Sequence, residues 1–334
     1  MGATIDDVAA RSGVSTATVS RVLSGSVPAR PETRERVLAA ARELDYRPSG
    51  IARALKRQET RTLGLVVTDI TNPFYPQLVR AVEAAAHERG YGIVLANGGN
   101  EPARELEHLD LLVERRVDGI VIVSSLMTRR HAERLHGTAV PVVLVNDTVA
   151  GSGLPTVTTA HRHGARLATE HLIALGHRRI GHIGAPADQA ASAQRRQGVR
   201  DALRAAALGE PLIAIGDGGV AGGARAAEAL IGSDITGIVA YNDLTAIGAL
   251  RALRRAGIGV PETVSVVGFD DIDLAAWTDP PLTTIRQPTD ALGRWAVEHL
   301  TDLLAGHAVD GLSPPVLLEP TLVVRGSTAA QGTV

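Results

Sequence analysis

The chain runs to 334 residues, 45% of them hydrophobic and 21% charged, with a formal net charge of −2. That length provides for about two domains, with a core large enough to hold without staples. The absence of cysteine excludes disulfides, thiolate metal sites and cysteine nucleophiles.

The start of the chain carries Asp6 and Asp7 and lacks the basic-then-apolar order of a signal peptide. Apolar runs such as 139–145 are too short to span a bilayer, so a cytoplasmic location is expected. The charge is unevenly spread. Residues 1–60 hold ten Arg and Lys against seven Asp and Glu, so the first segment is basic and the remainder acidic. A basic arm on an acidic body fits a nucleic-acid partner.

Helical periodicity fills that arm. Thr4 suits an N-cap, with Asp7 three residues on as its acidic partner. Ile5, Val8 and Ala9 give the first helix an apolar stripe, Ser12-Gly13 stops it, and Val14 plugs the turn. Ser15 caps a second helix over 16–23, which buries Val19, Val22 and Leu23 and displays Thr16, Ala17, Thr18, Ser20 and Arg21. Pro31 opens a third helix over 32–45 with Val37, Leu38, Ala41 and Leu44 as its stripe. Two short helices joined by a glycine-bearing turn, with a third across them, make a helix-turn-helix unit.

From residue 62 the pattern changes to strands alternating with helices. Strands are expected over 63–68, 93–96, 119–123 and 142–145, then over 180–183, 212–215, 238–240 and 264–267. Helices over 74–89, 102–116, 164–175, 191–207, 221–231 and 244–256 separate them. Two successive βα sets predict an α/β core of two doubly wound lobes, with the chain crossing back after 283. Such sheets bind ligands at the carboxyl ends of their strands. The expected organisation is a headpiece at 1–46, a hinge or linker at 47–60, a two-lobed core at 61–326 and a tail at 327–334.

The run Thr4-Ile5-Asp6-Asp7-Val8-Ala9, then Gly13-Val14-Ser15 and Thr18-Val19-Ser20-Arg21-Val22-Leu23, resembles the headpiece of the lactose-repressor (LacI/GalR) family. The likeness continues through Thr33-Arg34-Glu35-Arg36-Val37 and Leu44-Asp45-Tyr46-Arg47-Pro48, and covers the core as well. It implies an all-α helix-turn-helix headpiece followed by a periplasmic-binding-protein-like core. The second helix would lie in the major groove, with Thr16, Ala17 and Arg21 at the base-reading positions. An arginine there donates two hydrogen bonds to guanine. Ser15, Thr18 and Ser20 would hold phosphates, and Thr4 counts among the DNA-binding positions. Residues 48–56 match the family's hinge helix, in which Leu55 would wedge into the minor groove while Arg53 and Lys56 reach phosphates. Gly50 raises the cost of ordering that helix.

In the core, the resemblance puts Phe74 and Tyr75 in a loop that lines the effector cleft. Ser124 and Asn146 lie at first-lobe strand ends, Arg195, Asn242 and Asp270 match second-lobe cleft positions, and Gln287 sits in the crossover. A carboxylate, an amide and an arginine suit the hydroxyls of a small carbohydrate. Two departures leave the effector's identity open: the segment 156–161 lacks an acidic residue, and Gly218 stands where relatives carry a bulky aromatic.

Other signals are weak. The glycines at 216–223 do not spell a dinucleotide loop. His161, His163, His171, His177 and His182 show no metal-site spacing and read as helix-surface or capping residues. No cofactor or catalytic constellation is expected. The tail carries no heptads, so a homodimer is the default. The reading is a transcriptional regulator, expected to be a repressor, that binds a palindromic operator and a small-molecule effector, most simply a sugar. A solute receptor for transport and a Rossmann-type sugar enzyme are the alternatives.

Overall fold

The computed structural model describes residues 3–24, 29–46, 59–123, 129–136, 138–148, 152–186, 190–307 and 314–332. Two compact units emerge, residues 1–61 and 62–334.

The first unit holds α1 (Ile5–Ser12), α2 (Thr16–Ser24) and α3 (Pro31–Glu43). Thr4 and Asp7 close a capping box: Asp7 N donates to Thr4 Oγ1 at 3.3 Å, and Thr4 N donates to Asp7 Oδ2 at 2.8 Å. Gly13, at φ 67°, ends α1 in the left-handed region where a Cβ is costly. Val8, Val19 and Val37, one from each helix, are fully buried in a shared apolar cluster, and Val14 packs against it. The third helix starts at its proline, as expected, but stops two residues early, where Asp45 turns to φ 45°. Arg11 on α1 pairs with Glu43 on α3 at 2.7 Å. Both partners are exposed, so the pair contributes little beside the valines.

The second unit is built on two six-stranded sheets. The first lobe carries β1 (Thr62–Val67), β2 (Gly92–Asn97), β3 (Gly119–Val123), β4 (Val142–Val145) and β5 (Thr156–Thr159), connected in part by α4 (Phe74–Glu88), α5 (Pro102–Glu114) and α6 (Arg129–His136). The second lobe holds α7 (His161–Ala174), β6 (Ile180–Gly184), α8 (Ala190–Ala205), β7 (Leu212–Ile215), α9 (Val220–Glu228), β8 (Gly237–Ala240), α10 (Asp243–Arg255), β9 (Ser265–Asp270) and β10 (Thr283–Arg286). The chain then returns to pack α11 (Thr289–Leu304) on the first lobe, adds β11 (Val316–Leu318) beside β5, and ends with β12 (Thr321–Val323) beside β10. Strand order is β11-β5-β4-β3-β1-β2 in one sheet and β12-β10-β9-β8-β6-β7 in the other, parallel throughout except for β12. Three crossovers therefore join the lobes, at residues 160, 287–288 and 319–320.

Helices cover both faces of these sheets, so the central strands are apolar along their whole length, as in the fully buried β3 and β4. The helices of the second lobe approach closely. A Cβ on Gly198 of α8 would sit 2.1 Å from the Arg162 carbonyl of α7, and one on Gly164 would sit 2.8 Å from the Phe269 ring.

Several expectations need correction. The separate tail at 327–334 is not what residues 327–331 form. Ser327 is fully buried, its hydroxyl donates to Val266 O at 2.6 Å, and Gln331 N donates to Leu175 O. Nor are all the histidines surface or capping groups. His161, His177 and His182 are buried, and His182 lies mid-strand with Nδ1 2.9 Å from Val239 O. Buried imidazoles bridge backbone and hydroxyl groups that aliphatic side chains leave unpaired: His177 meets Thr236, Ser265 and the Ala329 carbonyl.

Candidate functional site

In the headpiece, α2 presents Thr16, Ala17 and Arg21 on its exposed side, while Val19 and Val22 face the helices behind it. Arg21 Nε donates to the Ala17 carbonyl at 3.2 Å, which folds the side chain along its own helix. Ser15 and Thr18 share a hydroxyl–hydroxyl bond of 3.0 Å, and Ser15 Oγ also accepts the Thr18 N–H. Thr4 uses its side chain in the capping box. Arg53, Leu55, Lys56 and Ser124 lie outside the described residues.

In the core, a cavity of about 640 Å³ opens at the carboxyl ends of both sheets. Loop residues after β1 form one wall. There Asp69 accepts Thr71 N–H and Oγ1–H, and Asn100 Nδ2 donates to its other oxygen at 2.8 Å. Phe74 and Tyr75 line the cavity with their rings packed edge-to-face at 5.5 Å. Both are at most 9% exposed and belong to the apolar core, so packing accounts for most of each ring.

A continuous polar run crosses from lobe to lobe at the cavity floor. Asn146, at the end of β4 with φ 59°, donates to Gln287 Oε1 at 3.0 Å. Gln287, on the crossover after β10, donates from Nε2 to Asp270 Oδ1 at 2.6 Å. Asp270, at the end of β9, lies 3.6 Å from Arg195 Nη2. Its φ of 123° is left-handed backbone for a residue with a Cβ, and such strain gathers where a site over-determines the chain.

Arg195, on α8, is 5% exposed. Its guanidinium lies 3.7 Å over the Phe269 ring, a cation–π contact made stronger by burial. Nη1 donates to the Tyr241 carbonyl at 2.6 Å, and Nη2 lies 3.3 Å from His161 Nδ1. Arg195 Nε and His161 Nε2 have no hydrogen-bond partner among the described residues. Burial, then the charge of Arg195, holds His161 well below the usual imidazole range. Burial pushes Asp270 up to about 6, against the pull of Arg195 and Gln287. Deeper still, Asp243 accepts Ile272 N–H and the Thr284 hydroxyl, and burial together with Asp270 pushes its carboxyl up to about 7.

Asn242 lines the cavity while capping α10. Its Oδ1 accepts Thr245 N–H, and its Nδ2 donates to the Gly218 carbonyl at 2.8 Å. It thereby fixes the glycine-rich wall at 217–219. The structure brings together Phe74, Tyr75, Asn146, Arg195, Asn242, Asp270 and Gln287 from the expected set. Sequence reasoning missed His161, Tyr241 and the Asp69–Asn100 pair. For Asp69 and Asn100 the position after β1 and β2 was a usable signal. His161 takes its role from Arg195, 34 residues away, and carries no local sign.

Among the described residues no cluster of three or more His, Asp or Glu is arranged to hold a metal, and no helix is long and apolar enough to cross a membrane. Residues 4–49 match the model for bacterial regulatory proteins of the lacI family, and residues 60–314 match that for periplasmic binding proteins and the sugar binding domain of the LacI family. The chain is similar to an uncharacterized HTH-type transcriptional regulator in the aml 5′ region of Streptomyces limosus, at 42% identity over 97% of this chain and 93% of the relative. Among solved structures it is similar to the lac repressor dimer bound to operator and the anti-inducer ONPF, with TM-score 0.90 and 29% identity over 99% of this chain and 100% of that one. It is also similar to the transcriptional regulator CelR–cellobiose complex, with TM-score 0.74 and 36% identity over 97% and 99%. With a helix-turn-helix headpiece and an effector-type core both matched, the chain belongs to the LacI family of transcriptional regulators.

Proposed function

We propose that this regulator is a cytoplasmic repressor whose homodimer binds a two-fold symmetric operator and is controlled by a carbohydrate held in the core cavity. The observation that carries this reading is the polar run Asn146–Gln287–Asp270–Arg195, which joins both lobes at the cavity floor. A sugar seated on it offers paired donors and acceptors to groups already oriented. It favours whichever lobe arrangement gives it the most contacts, and can shift the equilibrium by no more than that difference. The CelR neighbour was solved with cellobiose, which supports the ligand class.

In this reading Arg21 reads a base, with Thr16 and Ala17 beside it, and Ser15, Thr18 and Ser20 set the register on phosphates. Leu55 wedges a central step open, flanked by Arg53 and Lys56. Selection from random duplex DNA with the full-length chain tests it. Enrichment of a palindrome whose affinity falls steeply with salt is the expected outcome. Enrichment of no sequence would overturn the proposal.

A further inference from the structure

A second carboxyl lies beneath the cavity floor. Asp243, the first residue of α10, is fully buried and does not line the cavity, whereas Asp270 does. The Asp243 side chain is fastened to β9 on either side of Asp270. Its Oδ1 lies 2.2 Å from where a Cβ on Gly268 would sit, two residues from Asp270 and so on the same face of the strand. Oδ1 also takes the Thr284 hydroxyl, and Oδ2 accepts Ile272 N–H at 2.9 Å.

The nearby cations are already committed. Arg286 and Arg325 both pair with Asp271, each at 2.6 Å. Arg195 gives Nη1 to the Tyr241 carbonyl, turns Nη2 to His161 and lies 3.6 Å from Asp270. One guanidinium therefore serves two buried carboxyls, which leaves a negative charge uncompensated if both ionise. Burial, then Asp270, pushes Asp243 up to about 7, and burial pushes Asp270 up to about 6. The other groups around the cavity keep one charge state in that range. Burial holds His161 well below the usual imidazole range and raises Tyr241. Against the effect of its own burial, bonds from Thr71 and Asn100 keep Asp69 low, and Asp217 pairs with Arg225.

We propose that Asp243 governs effector binding through Asp270: the two carboxyls share a proton in the free protein, and a sugar hydroxyl donating to Asp270 displaces it, so that sugar affinity rises with pH. This rests on the carbohydrate reading above and adds proton control to it. A charge-assisted bond is roughly twice as strong as a neutral one, so the sugar selects the ionised carboxyl. One O–H bond of the pair breaks, and the buffer takes the proton.

The test starts with thermal shifts of the full chain at pH 7.5 against ribose, xylose, glucose, galactose, fructose, maltose, cellobiose, lactose, sucrose and trehalose. Isothermal titration with the sugar that raises the Tm most then follows affinity from pH 5.5 to 8. Wild type should bind about fourfold more weakly at pH 5.5 than at 7.5, as half-ionisation of Asp270 near 6 requires. Titration at pH 5.5 in two buffers of different ionisation enthalpy should show release of most of one proton. In Asp243→Asn the repulsion is gone and Asp270 ionises at lower pH, so the difference between pH 5.5 and 7.5 should shrink below twofold. A residue that merely supports the floor would lower affinity equally at both pH values, and that result overturns the proposal. A wild type that binds with flat affinity, or releases no proton, overturns it too and leaves the carbohydrate reading intact. No shift from any of these sugars overturns the carbohydrate reading, and the inference with it.

Discussion

Arg195 Nη2 lies 3.3 Å from His161 Nδ1, and that contact fixes the tautomer of the imidazole. A guanidinium has no lone pair to offer, so Nδ1 must accept and Nε2 must carry the proton. Burial keeps the ring neutral, and a neutral ring is the only form that can accept from Arg195. His161→Asn places an amide oxygen near the Nδ1 position and should retain most carbohydrate affinity. His161→Leu removes the acceptor, leaves a buried arginine donor unpaired and should reduce affinity about tenfold. Side-chain nitrogen NMR at pH 7 should show the Nε2–H form, and a doubly protonated ring would sink the assignment.

The buried carboxyls make a second expectation, about pH and stability. Burial and the neighbouring Asp270 push Asp243 up to about 7, and burial pushes Asp270 up to about 6. A carboxyl whose folded pKa is raised contributes fully below its unfolded value and loses that contribution as pH rises through the folded one. The buried histidines run the other way. His182 is held at about 4 by burial, so its contribution is present above its ordinary 6.5 and is lost as pH falls toward 4. The two sets oppose each other up to about pH 7.5, because the unfolded imidazoles are still half protonated at 6.5. Between pH 6.5 and 8 the carboxyls withdraw about 1 kcal/mol and the imidazoles return part of it, so the difference between wild type and a carboxyl variant isolates the carboxyl effect. In Asp243→Asn the amide oxygen can accept from Ile272 N–H and its nitrogen can donate to Thr284, so the alkaline loss should shrink. Urea midpoints across that range decide the matter.

Packing gives a third. In Gly198→Ala the new methyl meets the Arg162 carbonyl, a backbone atom with nowhere to go, so α7 and α8 must separate. The cost should be about 1–3 kcal/mol, with sugar affinity falling too because Arg195 rides on α8 and His161 on α7. Gly209→Ala has nothing within 4 Å of its Cβ and should be close to neutral. Equal midpoints for the two variants would contradict the close approach.

The parts of this fold legible from sequence were those with local causes. Thr4 with Asp7, Gly13 and Pro31 mark helix ends through bonds made within a few residues, and unbroken β-branched runs mark central parallel strands. The strands β5, β11 and β12 escaped because they are three or four residues long and sit at or near sheet edges, and α11 because it follows a crossover. The histidines escaped for another reason. The partners of His177 and His182 lie 57 to 152 residues away in sequence, so nothing near them signals burial.

On the DNA side, Arg21→Ala should weaken specific binding by about 1–3 kcal/mol and relax the preference at one base pair per half-site. Arg21 lies along its own helix with Nε on the Ala17 carbonyl, a contact that the side chain exchanges for a base edge on binding. A uniform loss across operator variants, measured by competition in fluorescence anisotropy, would make it a phosphate contact instead.

The sharpest separation of the two activities comes from Asp270. Its carboxylate already accepts from Gln287 and faces Arg195, and a ligand hydroxyl donating to it makes a charge-assisted bond worth about 1.5–3 kcal/mol. Asp270→Asn keeps the size, keeps an oxygen for Gln287 and tolerates the left-handed backbone at φ 123°, so the fold should survive. Sugar affinity should fall at least about tenfold, since 1.4 kcal/mol is one decade. Arg195→Ala is the poorer experiment: Arg195 also packs on Phe269 and holds the Tyr241 carbonyl, so truncation opens a void and orphans an acceptor. Arg195→Lys retains the charge and most of the volume while removing the fork of donors, and should reduce sugar affinity by a similar factor. The residues belong to the core unit, so operator affinity without sugar should stay within about threefold of wild type, well under one decade. Such a regulator no longer hears its effector: repression becomes constant if the sugar induces, and is never engaged if the sugar co-represses. Operator binding by anisotropy, with and without a sugar that raises the Tm of the full chain, reads both quantities. A folded Asp270→Asn protein that loses the operator outright, or that responds to the sugar as wild type does, removes Asp270 from the effector site.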